Sequence, residues 1–193
     1  MSNVKDQELI VALQEGSLDA LGVLYDRYRQ LVYRTALAIT GDPEAASDLL
    51  QDVFLRLHRF AERIDVERPI EPWLYRMTAN LSYTWVKRRS RWIRPLEDLA
   101  DWIAGSTRNA PYEQVERNDE WEQVQRAVSA LPLPQRVVVV LYYLNDLSLQ
   151  EISEILDVPV GTVKSRLHYG REALKKGLRF QGEKLPDLKY ERT

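Results

Sequence analysis

The chain has 193 residues, 45% of them hydrophobic, with no cysteine, two histidines and a formal net charge of -2. That suits one domain or two small ones and excludes disorder throughout, disulfides and thiolate metal sites. His58 and His168 are too far apart to suggest a metal cage, the acid-bearing start MSNVKDQELIVALQEG is no secretory signal, and the longest apolar run, VVVVLYYL, cannot span a bilayer; a reducing cytoplasm is the expected setting, with no metal, cofactor or membrane contact.

The net charge argues against indiscriminate coating of nucleic acid, but it hides a pattern. Residues 1–94 carry 14 basic and 13 acidic side chains, residues 95–130 carry 3 and 8, and residues 131–193 carry 10 and 8. Basic clusters flank an acidic middle.

In chain order, Asp6 to Gln14 places Leu9, Ile10 and Leu13 on one helical face, and Gly16 interrupts. Ser17 can cap the next helix, a long amphipathic one in which Leu21, Leu24, Tyr28, Leu31, Val32, Thr35 and Ile39 recur at three and four. In TGDPEAA, Gly41 suits a helix end, Asp42 an N-cap and Pro43 a first turn, where its missing N–H costs nothing. ASDLLQDVFLRLHRF follows, with Leu50, Val53, Phe54 and Leu57 as its core face.

Two prolines in IDVERPIEP, residues 64–72, force a short ordered loop, because the residue before a proline leaves the α region. Then comes WLYRMTANLSYTWVKRRSRWIR, rich in cations and rings and devoid of carboxylates. Leu74, Met77, Leu81 and Trp85 form its core side; Trp73, Arg76, Asn80, Tyr83 and Lys87 form a neighbouring stripe of rings, an amide and cations. Stacking on an aromatic is worth about 1–3 kcal/mol per base and is open only to bases outside a duplex, so single-stranded DNA is the ligand the stripe favours.

Residues 95–112 mix Pro, Gly, Ser, Asn and acids with poor periodicity, and read as a linker between two helical domains. An acidic amphipathic segment follows, with Trp121, Val124, Val128 and Leu131 in line. RVVVVLYYL would be a strand by propensity, but both neighbours are helical and no second strand is present to pair with it, so it is assigned as helix. In SLQEISEILDVPVGTVKSRL, Ser148 can cap a short helix through Ile155, Asp157 to Pro159 make the turn and a second helix starts near Val160. This is a helix-turn-helix, whose second helix enters the major groove. It would present Thr162, Lys164, Ser165, Arg166, His168, Tyr169 and Arg171, a set suited to phosphates and base edges. The tail at 182–193 is polar and without a functional reading.

DLLQDVFLRL, WLYRMTANL and LSLQEISEILDVPVGTVKSRL, in that order and spacing, resemble the group 4 (extracytoplasmic-function) sigma factors of bacterial RNA polymerase over about residues 7–180. The resemblance implies an all-α chain of two small helical domains, 1–94 and 113–181, joined by a flexible linker. The first domain is then expected to dock on the β′ clamp helices through Asp48, Leu49, Gln51, Asp52, Phe54, Leu55 and Arg56. It is also expected to capture the single-stranded -10 element through Arg68, Trp73, Arg76, Asn80, Tyr83, Lys87 and Arg88. The second would read the duplex -35 element through Thr162, Lys164, Ser165, Arg166, His168, Tyr169 and Arg171, and contact the β flap. An anti-sigma factor is an implied partner. Ser153, Asp157, Tyr169 and Gly170 depart from the family pattern, and Gly170 is expected to loosen its helix by about 1 kcal/mol relative to Ala.

Two other classes are weighed. A stand-alone helix-turn-helix regulator would leave DLLQDVFLRL and the ring-and-cation helix unexplained. An enzyme is not expected: the eight glycines are scattered, and no nucleophile–base pair or metal-spaced carboxylate set is present.

Overall fold

The computed structural model describes residues 4–100 and 119–179, with side chains described for 4–90 and 123–178. Among these residues there are eight α-helices, one short 3-10 turn and no strand: α1 Asp6–Gln14, α2 Leu18–Thr40, α3 Pro43–Arg59, the 3-10 turn Ala61–Arg63, α4 Glu71–Ala100, α5 Asp119–Ser129, α6 Leu133–Tyr143, α7 Leu149–Leu156 and α8 Val160–Arg179.

Helix boundaries follow the local chemistry. The Ser17 side chain accepts from the Ala20 N–H and starts α2; Gly41, at φ 69°, ends it in the left-handed conformation, which glycine adopts without a Cβ clash. One residue later the Asp42 side chain accepts from the Ala45 N–H, with Pro43 in the first turn of α3. Burial pushes the Asp42 carboxyl up, but the Ala45 N–H and Arg89 outweigh it and hold the group below its usual range.

The N-terminal bundle closes around Ile10, Leu24, Val32, Val53, Leu57, Ile70 and Leu74, all fully buried. Tyr28 donates its hydroxyl to Asp6 and to Glu71, at 3.2 Å for the latter, and so ties α1, α2 and α4 together. Burial, with both carboxylates adding to it, pushes that phenol far above its ordinary value.

Helix α4 runs to Ala100, so residues 95–100 of the segment expected as a linker are helical; its remaining residues, 101–112, lie outside the described part. An interior proline removes one hydrogen bond and bends a helix, but the LEDLA that follows consists mostly of good helix formers, which sustain it.

In the C-terminal bundle the four valines are helical, because Val137 to Leu141 are all buried against α7, α8 and neighbours on every side. Burial around the whole helix overrides β propensity. Val124, expected in the apolar line of α5, is instead 40% exposed. Helix α7 opens with a full capping box: Glu151 N–H donates to Ser148 Oγ, and Ser148 N–H to the Glu151 carboxylate at 2.7 Å. Hydrogen bonding from the Ser148 side chain and from its backbone N–H holds the Glu151 carboxyl below its usual value. At the two turn positions that depart from the family pattern, Asp157 takes the left-handed cap at φ 53°, and Ser153 Oγ donates to Val158 O at 2.6 Å across the turn.

Gly170 overturns its expected role. A Cβ there would sit 2.7 Å from Val139 Cγ2 and 3.6 Å from Gln135 Cβ. The glycine therefore lets α8 cross close over α6. Gly170→Ala is expected to lower stability by about 1–3 kcal/mol despite alanine's better helix propensity. Thermal unfolding checks this, and a raised midpoint would refute the close-crossing role.

The two bundles are packed on each other. One apolar cluster runs from Ile39, Tyr75 and Ala79 of the first into Val137, Leu141, Ile152, Ile155 and Leu167 of the second. Polar contacts accompany it: Asn145 Nδ2 donates to Thr35 Oγ1 at 2.9 Å, Gln125 Nε2 to Leu37 O at 3.2 Å, and Arg136 Nη1 to Ile39 O at 2.8 Å.

Candidate polymerase and nucleic-acid interfaces

Helix α3 splits into two faces. Ala45, Ala46, Leu49, Val53, Phe54 and Leu57 are buried, and Phe54 meets Tyr25 edge-on at 4.9 Å. Leu49 and Phe54, expected on the docking surface, are 7% and 5% exposed, so they shape that helix from behind. Asp48, Gln51, Asp52 and Leu55, at helical spacing, form the outward stripe, with Leu55 67% exposed. Arg56 is half-buried and donates to Asp52 at 3.0 Å.

On α4 the cations and the amide separate from the core side as expected, but the rings do not, since Trp73 and Tyr83 also pack against the cores. Leu74 is buried, and Met77, Leu81 and Trp85 are partly buried against the cores. Trp73 and Tyr83 are half-exposed; Arg76, Asn80, Lys87 and Arg88 are exposed, and so is Arg68 in the preceding loop. That loop is a turn closed by Arg68 N–H on Asp65 O and by Arg68 Nε on the Asp65 carboxylate at 3.2 Å. Two rings of the basic stretch are otherwise engaged. Tyr75 is buried between the bundles, and Trp85 carries the Arg89 guanidinium 5.0 Å from its centroid. Arg89 also pairs with Asp42 and so belongs to the scaffold.

In the helix-turn-helix, Val163 and Leu167 anchor α8 while Lys164, Ser165, His168 and Tyr169 line its exposed arc. The His168 and Tyr169 rings meet edge-on at 5.4 Å. Ser165 Oγ turns back to donate to Thr162 O at 3.0 Å. Thr162, Arg166 and Arg171 are half-buried. Arg166 turns away from the arc: with Asn80, Tyr83, Pro134, Val137 and Leu156 it lines a crevice of about 210 Å³ between the bundles. The structure thus brings one -35 candidate beside two -10 candidates.

Arg136 was missed by residue-type reasoning. It is the only Lys or Arg between Arg126 and Lys164, and a lone cation heading a wholly apolar run was the available signal. Its guanidinium donates to Ile39 O, Ser129 O and Leu131 O. No helix among the described residues is long and apolar enough to cross a membrane, and no group of three or more His, Asp or Glu among them could hold a metal.

A helical domain carrying a ring-and-cation stripe, followed by a helix-turn-helix, defines a two-part DNA reader. Residues 24–92 match the sigma-70 region 2 family and residues 121–174 match sigma-70 region 4. The chain is 33% identical over 181 residues to the ECF RNA polymerase sigma factor SigW of Bacillus subtilis, covering 88% of this chain and 95% of that one. Its fold is similar to that of CnrH solved with the cytosolic domain of CnrY (TM-score 0.67, 21% identity, 92% and 99% of the two chains). It is also similar to the sigma factor RpoE solved with the anti-sigma factor NepR from Bartonella quintana (TM-score 0.58, 21% identity, 78% and 91%). The chain belongs to the ECF sigma factors of bacterial RNA polymerase. As such it is a transcription initiation factor that directs RNA polymerase to promoters.

Proposed function

We propose that the two bundles divide promoter recognition between them, within 1–94 and 113–181. The Asp48, Gln51, Asp52 and Leu55 face of α3 docks on the β′ clamp helices of core polymerase. The α4 stripe with the loop at 64–70 takes the melted -10 strand, and the exposed arc of α8 reads duplex -35 DNA while its bundle meets the β flap. The observation that carries this reading is the α4 stripe itself: Trp73, Arg76, Asn80, Tyr83 and Lys87 share one side of a helix whose opposite side is core. Rings for stacking, an amide for a base edge and cations for phosphates suit a single strand, with Trp73 and Tyr83 seated on the cores by one side and half-exposed on the other. An anti-sigma factor is a fitting regulator, and the cytoplasm, where polymerase acts, is the matching compartment.

Asn80 is exposed and makes no core contact, so its loss should leave the fold and polymerase docking intact. Asn80→Ala is expected to lower open-complex formation about tenfold, the loss of roughly 1–3 kcal/mol of base readout, with unchanged affinity for core polymerase. Permanganate footprinting on holoenzyme, alongside a core-binding titration, measures both. Equal losses in the two would refute the role.

A further inference from the structure

A basic corner of the N-terminal bundle lies outside the residues assigned to polymerase or DNA. Arg59 ends α3, Phe60 follows it, and Arg63 closes the 3-10 turn. The Arg59 and Arg63 guanidiniums both lie over the Phe60 ring, 5.8 and 5.4 Å from its centroid. Both arginines are exposed and the ring they share is half-buried. Neither has an ion pair among the described residues, although Glu62 stands exposed between them in the chain.

The turn that carries Arg63 is fixed from α1. Gln14 Nε2 donates to Ala61 O at 3.1 Å and to Ile64 O at 3.0 Å, and the Ala61 and Ile64 side chains are buried. The last turn of any helix favours cations, which accounts for Arg59 but not for Arg63, placed beyond the end of α3. Two like charges gathered on one ring repel each other, and an anion between them relieves that cost. A guanidinium gives a phosphate two parallel donors and offers its flat face to a base.

Arg63 also lines, with Arg68, Trp73 and Arg76, a cavity of about 740 Å³. The carboxylates around that cavity are held by other groups: Asp65 by Arg68, Glu71 by Tyr28, Glu151 by Ser148 and Glu154 by Gln150. A strand that leaves the α4 stripe by this route meets Arg63 first and Arg59 next.

We infer that Arg59, Phe60 and Arg63 form a second contact for the melted strand, a sequence-independent phosphate clamp that continues the α4 stripe past the loop at 64–70. This rests on the assignment of the α4 stripe to single-stranded DNA. The shared ring holds the two guanidiniums in place before the strand arrives, so less side-chain freedom is lost on binding. The clamp adds affinity and salt dependence, while base choice stays with Asn80 and the rings of α4.

The probe is a random-sequence pool of single-stranded DNA, titrated against the full chain across a range of salt, with circular dichroism as the fold check. Arg59→Gln with Arg63→Gln is expected to make the plot of log affinity against log salt shallower by about 1.4, two phosphate contacts at about 0.7 each, and to weaken binding about tenfold at roughly 0.1 M salt. Arg59→Lys with Arg63→Lys keeps both charges and should keep the wild-type slope. Arg29→Gln with Arg34→Gln removes the same charge from exposed positions of α2 outside the proposed surfaces and should leave the slope nearly unchanged. An unchanged slope for the glutamine pair at 59 and 63, an equal drop for the α2 pair, or a lysine pair as shallow as the glutamine pair overturns the inference alone. Absence of strand binding by wild type at the lowest salt overturns the strand assignment and the inference with it.

Discussion

Arg136→Leu is expected to destabilise the folded chain by about 3 kcal/mol, more than any exposed substitution in the proposed DNA stripes. The guanidinium supplies donors to Ile39 O, Ser129 O and Leu131 O, carbonyls at or next to the ends of α2 and α5. Those ends leave carbonyls that the helices themselves cannot satisfy. Each acceptor stranded by the loss costs about 1–3 kcal/mol when it stays dry, and water reaching the interface offsets part of that. Burial already works against the charge, drawing the Arg136 pKa below its usual value, and its Nε lacks a partner. The site thus holds a cation at some cost for the sake of three carbonyls. Arg136→Lys should lie between the two, since a single ammonium cannot span acceptors on two helices and a turn. Urea denaturation of all three proteins checks the order. A change under about 1 kcal/mol for leucine would mean that the carbonyls find water freely and that the guanidinium is not structural.

The same residue marks where residue-type reasoning reached its limit. Helix boundaries were legible because caps act locally: Ser17, Gly41, Asp42, Pro43 and Ser148 each sit where the structure uses them. The exposure of Arg76, Asn80 and Lys87 on α4 was legible from period, whereas the packing of Trp73 and Tyr83 against the cores was not, because a ring at helical spacing serves either side. Leu49 and Phe54 were misplaced on the docking surface because a motif carried over as a block does not separate the two sides of its helix, whereas burial does. Gly170 was misjudged because propensity describes a helix alone, and the deciding atom, Val139 Cγ2, comes from another helix. Packing of the two bundles was not legible at all. It depends on Arg76, Asn145 and Arg136 meeting partners roughly 80 to 110 positions away in the chain, pairings no local pattern encodes.

Reversing charge on α3, with Asp48→Lys and Asp52→Lys together, is expected to reduce affinity for core polymerase at least a hundredfold while leaving the unfolding midpoint nearly unchanged. Asp48 is exposed and Asp52 half-buried, and neither is part of a core cluster. Within the chain the double reversal breaks the i,i+4 ion pair of Asp52 with Arg56, both about 40% exposed, and such surface pairs are worth about 0.3–0.5 kcal/mol. At a docked interface the arithmetic differs. Like charges set opposite one another cost several kcal/mol, and every 1.4 kcal/mol is tenfold in binding. Leu55→Ala, beside the two carboxylates, removes apolar area without changing charge, so its effect should persist at high salt whereas that of the double reversal should weaken. Titration of fluorescent core polymerase at two ionic strengths separates the contributions. If the double reversal binds core polymerase as tightly as wild type at low salt, the docking surface lies on another helix, and the exposed Leu55 must be explained by a different partner.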